Sequence, residues 1–339
     1  MAKLLAIAIP TYNRADLLDK QLGWLAEAIR GHEADCEIWV SDNASTDDTP
    51  LVIEKWRQYW QQRVGDSFFR SQRHPQNLGV IKNIASCLTL PKTDYVWAIG
   101  DDDPIQDRAI PYVIAQLKQQ PEPTLVLLNF SGRNKLTGEA VHPPTIQDNR
   151  WFDVDTAFQP EAGLPDRYPD SKAVFQYCYE KSVGAVIFLT ASIYRTSQIQ
   201  KAFEHWPTAA ENWIFMAYLA GYCAAQGAVV VTQEPFLECI VGVSYWQREQ
   251  QSALLMQYKH TSEVLIKLGE ITYPTEFCQR MIVKQAKAAN VKVLLGALRR
   301  WPQLTLKTVV PFWRLAFSSA LWLITHPTKM DEAPPKALL

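Results

Sequence analysis

The sequence predicts an α/β fold, a three-layer sheet with helices on both faces, followed by a helical C-terminal extension. Two observations carry this. Short apolar runs alternate with helical patterns through the first 130 residues, which builds a mostly parallel sheet with right-handed crossovers. Polar clusters follow three of those runs: Thr11-Tyr12-Asn13-Arg14, Ser41-Asp42-Asn43-Ala44-Ser45 and Asp101-Asp102-Asp103. Ligands of open sheets bind beyond the carboxyl ends of the strands, so the clusters predict one shared site.

Leu4 to Ile9 is a continuous apolar run ended by Pro10, as expected of a central strand covered on both faces. Asp16 to Arg30 reads as a helix, with Leu17, Leu18, Leu22, Leu25 and Ile29 at helical spacing and Gly31 as its stop. Glu37 to Val40 is a second strand, Thr49 to Gln61 and Ile81 to Leu90 are helices, and Tyr95 to Ile99 and Leu125 to Asn129 are strands. From Ser131 to Pro169 the text is polar and broken by Pro143, Pro144, Pro160 and Pro165, which predicts a long excursion or lid. Phe175 to Glu180 is expected to be helical, Ala185 to Leu189 a strand, Glu211 to Ala225 a helix and Ala228 to Thr232 a late strand.

A chain of 339 residues with 47% hydrophobic content excludes disorder. Six widely spaced cysteines, without a CxxC pair or Cys/His cluster, predict reduced buried thiols rather than a zinc site or disulfide framework. The apolar start is too short for a signal peptide, so the expected location is the cytoplasm. Net charge is −1, yet from Arg280 to Leu339 there are ten Lys/Arg against two Asp/Glu. No nucleic-acid partner is expected.

Adjacent carboxylates resist ionising together unless water or a cation separates their charge. Asp101-Asp102-Asp103 at a strand end therefore reads either as a solvated turn before a helix or as a seat for Mg²⁺ or Mn²⁺, which takes one or two protein carboxylates plus substrate phosphates. Asp42 can accept from a base N–H or cap a turn. Tyr12 can stack on a base or pack locally. Asn77, Lys82 and Asn83 can hold ribose or phosphate near a helix N-terminus.

The ordered strings "IAIPTYNR", "WVSDNASTDDT", "NLGVIKN" and "YVWAIGDDD" resemble the family 2 glycosyltransferases of GT-A, Rossmann-like fold. The likeness is to bacterial members of the abequosyltransferase type that build O-antigen and other surface polysaccharides, and it covers roughly the first 130 residues. It implies that Pro10, Tyr12 and Arg14 line the nucleotide pocket, that Asp42 reads the base, and that Asp101 to Asp103 supply the ribose and metal contacts of the DxD element. Many relatives read Leu-Asp-x-Asp-Asp where this chain has Ile99-Gly100-Asp101-Asp102-Asp103. With Gly100 at the first acidic position a ribose contact is lost and Asp102 becomes the leading metal ligand, with Asp103 as the second. Ser41 likewise stands where many relatives carry an aspartate.

The resemblance further implies a base from an acidic pair after the middle strands. Here that pair is Glu211-Asn212, so Glu211 is the candidate, with its dipole contact at a helix start as the alternative. Asp166 and Asp170 are weaker candidates. The implied activity is hexosyl or deoxyhexosyl transfer, with inversion, from a nucleotide diphosphate sugar to a glycan or polyprenyl-linked glycan. Expected organisation is a catalytic domain over 1–240, with a nucleotide-sugar half 1–130 and an acceptor half 131–240, then a basic helical extension over 241–339. The rivals are a nucleotidyltransferase, which usually wants a glycine-rich basic loop that Pro10-Thr11-Tyr12-Asn13-Arg14 is not, and a non-catalytic glycan-binding protein. Most of the histidines are expected at the surface, and His205, near Glu211, is the one expected to touch acceptor.

Val309 to Ile324 is apolar but interrupted by Arg314, and shorter than the roughly 20 residues that span a bilayer. Helical spacing puts Arg314, Ser318 and Thr325 on a narrow strip, leaving Phe312, Trp313, Ala316, Phe317, Ala320, Leu323 and Ile324 on a broad apolar face. With Trp301, Arg299, Arg300 and Lys307 nearby, this predicts either peripheral contact through 301–326 with the inner face of the plasma membrane, or a helix packed on the protein or a dimer partner.

Overall fold

Leu5, Ile7 and Ile9 alternate with Ala6 and Ala8 along the first strand, and none of the five is exposed. Such a strand needs cover on both faces. In the computed structural model, which describes residues 3–134, 140–141, 167–168, 171–181, 183–241, 250–289 and 291–327, it is flanked by β-strands on both sides. The strands are β1 (Leu5–Thr11), β2 (Cys36–Asp42), β3 (Phe69–Arg73), β4 (Tyr95–Ala98), β5 (Pro123–Asn134), β6 (Ala140–Val141), β7 (Arg167–Tyr168), β8 (Ser192–Arg195) and β9 (Ala228–Val241). They form one sheet in the order β3-β2-β1-β4-β8-β5-β9-β7, with β6 beside β5.

β3, β2, β1 and β4 run parallel, β8 is antiparallel between β4 and β5, and β5 and β9 are parallel. The chain leaves β1 for β2 on one side and later returns to β4 on the other. That reversal is the switch point at which α/β sheets bind ligands.

Helices α1 (Ala15–Ala28), α2 (Thr49–Arg63), α3 (Val80–Thr89), α4 (Ala109–Leu117), α5 (Ser171–Lys181), α6 (Val183–Ile187), α7 (Thr196–His205) and α8 (Phe215–Ala224) are interleaved with the strands. Two apolar clusters result. Leu5, Ile7 and Ile9 pack with Leu18, Leu22, Trp60 and Ile110, whereas Ala8 joins Ile81, Phe175, Phe215 and Leu219. The six cysteines are free and buried, as expected. One sequence expectation fails: Ala185–Leu189 is not a strand, because α6 and a following 3₁₀ turn occupy it and the strand begins at Ser192. A short apolar run does not distinguish buried helix from buried strand. The excursion lies mostly outside the described residues, as do Asp166 and Asp170.

The extension continues as α9 (Gln250–Glu270), α10 (Thr275–Lys287), α11 (Val291–Arg300) and α12 (Pro302–Thr325). Leu265, Leu268, Tyr273, Phe277 and Phe312 belong to the same buried cluster as the sheet helices. The approach is close: a Cβ at Gly221 would lie 2.4 Å from Leu268 Cδ2. Tyr273 donates to the Gly221 carbonyl at 2.8 Å. The tail helix runs 24 residues rather than the expected 16 and is, by length and composition, long and apolar enough to cross a membrane.

Candidate nucleotide-sugar site

The register sets Thr11 opposite Asp42 and Asp42 opposite Arg73, so β1, β2 and β3 end side by side. The loops behind them are tied together. Asn13 N–H donates to Ser45 Oγ at 2.9 Å, and Asn13 Oδ1 accepts from Thr46 N–H at 2.7 Å. Asn13 and Ala44 take positive φ of 52° and 64°, which for a residue with a Cβ costs about 1–2 kcal/mol. Cross-loop bonds hold that backbone in place, and strain of this kind gathers at ligand sites.

Asp42 is 1% exposed. Its Oδ1 accepts from Ser45 N–H at 2.9 Å, while Oδ2 is buried without a hydrogen-bond partner, 3.6 Å from Arg73 Nη1. An unpaired buried acceptor costs about 1–3 kcal/mol, a debt that an N–H donor entering the cleft removes. His74, expected at the surface, is buried with a ring nitrogen 3.1 Å from Ser41 Oγ. Only the β2–β3 pairing, invisible as a sequence pattern, brings it there.

The aspartates divide by environment. Arg14 spans two of them, Nη1 to Asp101 Oδ1 and Nη2 to Asp102 Oδ2, each at 2.6 Å. Burial opposes the Arg14 charge, but the carboxylates of Asp101 and Asp102 outweigh it and keep the guanidinium charged. Asp101 also accepts from Thr11 Oγ1 at 2.9 Å. Burial drives its carboxyl up to about 6 against the pull of Arg14.

Asp103 turns inward, where it accepts from Thr190 Oγ1 at 2.5 Å. Burial, then Asp102, pushes it up to about 7. Gly100 makes room, since a Cβ there would stand 2.4 Å from Asp103 Oδ2. The expected pairing of Asp102 with Asp103 as outward ligands is therefore not what the geometry presents: Asp102 is the partly exposed carboxylate, and Arg14 couples it to Asp101. Among the described residues no cluster of three metal-ligating side chains forms. A Mg²⁺ or Mn²⁺ ion that shares diphosphate oxygens needs only one or two carboxylates, and Asp101 and Asp102, held by a cation already, fit that requirement.

Around this core, Pro10 is partly buried and Tyr12 is 41% exposed, open to a stacking partner. Asn77 is exposed and accepts from Asn43 and from Gly79 N–H. Lys82 is exposed in the first turn of α3. Asn83 is different. Its amide donates to the Ser41 and Thr11 carbonyls and accepts from Ser41 Oγ at 2.6 Å, so it locks β1, β2 and α3 and both its N–H donors are spent inside the protein.

Glu211 sits at the end of a 3₁₀ turn, Ala209–Glu211, exposed and ahead of α8 rather than in one helix over 211–225. Among the described residues its carboxylate has no hydrogen bond or ion pair. Asn212 is buried and its amide nitrogen donates to the His260 carbonyl and Glu263. The two members of the pair thus separate into one free carboxylate and one structural amide. His205 bonds the Tyr218 hydroxyl at 3.0 Å.

Residues 6–182, more than half of the chain, match the family model "Glycosyl transferase family 2". The chain belongs to that family. It is 33% identical over 122 residues to abequosyltransferase RfbV of Salmonella typhimurium, a match covering 35% of this chain and 34% of that protein. The matched region is thus about a third of the curated relative. TarS 1–349 of S. aureus superposes with a TM-score of 0.60 at 14% identity, covering 93% of this chain and 79% of that one. Mannosyltransferase PcManGT of Pyrobaculum calidifontis, solved with GDP-Man and Mn²⁺, aligns at a TM-score of 0.50 and 14% identity over 95% and 88%. These likenesses bear out the expected GT-A fold with its helical extension.

Proposed function

We propose that this family 2 protein transfers a sugar, with inversion, from a nucleotide diphosphate sugar to a glycan or polyprenyl-linked glycan in the cytoplasm. The observation that carries this is the buried Oδ2 of Asp42, which has the Arg73 guanidinium 3.6 Å away but no hydrogen bond, together with the Arg14-bridged Asp101 and Asp102, all at the sheet's switch point. Asp42 accepts a base N–H, Tyr12 stacks on the base, and Lys82 with the free N–H groups opening α3 faces phosphate. The relatives' names support the class of reaction, and the Mn²⁺ in one neighbour supports a divalent ion.

Asp101 and Asp102 would hold that ion, which when bound neutralises the departing diphosphate. Arg14, between the same two carboxylates, would carry positive charge beside the phosphate oxygens. Glu211 takes the proton from the acceptor hydroxyl as its oxygen attacks the anomeric carbon; the carbon–oxygen bond to the diphosphate breaks and the electron pair leaves with it. Asn212, spent on His260 and Glu263, cannot take that proton. In this arrangement residues 1–130 bind donor, 131–240 bind acceptor and 241–339 form the basic extension.

A thermal-shift panel of nucleotide sugars, with Mn²⁺ and with chelator, tests the assignment. One donor should raise the melting temperature in a Mn²⁺-dependent way, and Asp102→Asn should remove that dependence. Equal nucleotide affinity with and without Mn²⁺ in both proteins sinks the metal assignment; no stabilisation by any donor sinks the function.

A further inference from the structure

Nine of the fifteen large hydrophobic side chains exposed among the described residues lie between Val291 and Ile324, on α11 and α12. On α12, Leu306, Val310, Trp313, Phe317, Leu321 and Ile324 fall within a sector of about 80° at about 3.6 residues per turn. Phe317 is 73% and Ile324 75% exposed. Val291, Leu295 and Leu298 repeat the pattern on α11, which packs beside α12.

The opposite side of α12 is buried, yet it carries Thr305, Thr308 and Ser319 with Phe312 and Ala316. The two threonines donate to their own helix, at the Trp301 and Leu304 carbonyls. Phe312 meets Tyr258 with ring centroids 4.7 Å apart. The apolar face expected from the sequence is therefore split: Phe312 and Ala316 turn inward, whereas Trp313, Phe317 and Ile324 turn outward. The more continuous apolar stripe is the one the protein leaves uncovered.

Charge names the occupant. From Phe277 to Thr325 the sequence has eight Lys/Arg and no Asp or Glu. Arg280 pairs with Glu180 and Glu276, but Arg299, Arg300, Lys307 and Arg314 are exposed and have no acidic partner among the described residues. Lys307 and Arg314 border the apolar stripe, and Arg314 joins Trp313 and Phe317 in lining a shallow groove. A second copy would set like charges against each other across an isologous contact. An anionic lipid surface complements both halves of the pattern, apolar side chains entering the acyl boundary while basic ones reach phosphate.

We propose that the exposed faces of α11 and α12 dock the protein in the plane of an anionic lipid leaflet. The helix lies on the leaflet rather than crossing it, since its other face is built into the protein core through Phe312 and Ala316. Docking is independent of the sugar-transfer reading and would hold for any acceptor.

The test is sedimentation of the full chain with phosphatidylcholine vesicles, with and without phosphatidylglycerol, beside a melting curve and a sedimentation-velocity run. The expected result is binding to anionic vesicles only, weakened as rising salt screens the charge. Each of Arg299→Gln, Arg300→Gln, Lys307→Gln and Arg314→Gln should weaken binding by about fivefold. The triple variant Trp313→Ser, Phe317→Ser, Leu321→Ser should lose binding at least tenfold with an unchanged melting temperature; the charge variants keep the test valid if it melts early. Absence of sedimentation at low salt overturns the proposal. So does retention on vesicles through carbonate washing, which marks a spanning helix, or a dimer in solution that the triple variant dissociates, which marks a second copy as the occupant.

Discussion

At the carboxyl ends of β1, β2 and β4 the protein buries charge, whereas along α11 and α12 it exposes apolar surface. Asp42, Asp101 and Asp103 are each under a tenth exposed, while Trp313, Phe317 and Ile324 stand in solvent and Thr305 and Thr308 take the buried side. Both arrangements run against what folding alone favours, because water stabilises carboxylates and expels apolar groups. The two regions differ in how the chain manages the imbalance. At the strand ends Arg14, Thr11 and Thr190 compensate within the protein and leave one oxygen, Asp42 Oδ2, without a donor. On α12 nothing among the described residues covers the stripe. A pre-organised polar pocket suits a ligand bound in one orientation, and an open apolar stripe edged with basic groups suits a surface that needs no fixed register.

The largest expected effect tests whether the polar region does chemistry. Glu211→Gln should lower turnover by about 10²- to 10⁴-fold with donor affinity nearly intact; wild-type turnover in that variant would move the base elsewhere. The apolar region is probed by the pair Phe312→Ala and Phe317→Ala. The buried ring should cost about 3–5 kcal/mol and the exposed one within about 0.5 kcal/mol, measured by urea unfolding. Equal costs would mean that the stripe is covered after all.

Donor affinity sharpens the polar side. Asp42→Ala removes a charged acceptor worth about 1.5–3 kcal/mol to its partner, so calorimetry should show a loss of about tenfold to a hundredfold with little change in fold. An unchanged affinity would leave Asp42 as a turn residue.

The most gradual effect is in pH. Asp101 and Asp103 are raised from the ordinary 3.8 to about 6 and about 7 by burial, so the folded state binds more protons than the unfolded chain between those values. Their contribution to metal-free stability is full below about pH 4 and is lost as pH rises to about 7. Under the proposed assignment Mn²⁺ needs the deprotonated site, so its addition should raise the melting temperature more at pH 7.5 than at pH 5. Asp103→Asn should flatten the metal-free decline, and a slope unaltered by that change would place it in other groups.

The central strands, the order of the polar loops behind β1, β2 and β4 and the Asp101 to Asp103 cluster were legible in the sequence. Each depends on local terms: continuous apolar runs for doubly covered strands, a Pro10 stop, and polar residues where a strand leaves its sheet. Which site residues face a ligand was not legible. Asn83 and Lys82 are neighbours in one motif, yet Asn83 is consumed by the Ser41 and Thr11 carbonyls while Lys82 points to solvent. Asp102 and Asp103 look equivalent until Thr190, 87 residues away in sequence, captures one of them.

The tail divides in the same way. Periodicity alone determined that α12 is a helix with apolar stripes, because side-chain direction repeats every 3.6 or so residues whatever surrounds the chain. Tertiary structure decided which stripe is covered, because burial belongs to contacts that Tyr258 and its neighbours make across the fold. Local backbone geometry can be read from adjacent residues, but the choice between core and surface is made by partners far away in sequence, and at both ends of this molecule that choice separates an exposed group from a structural one.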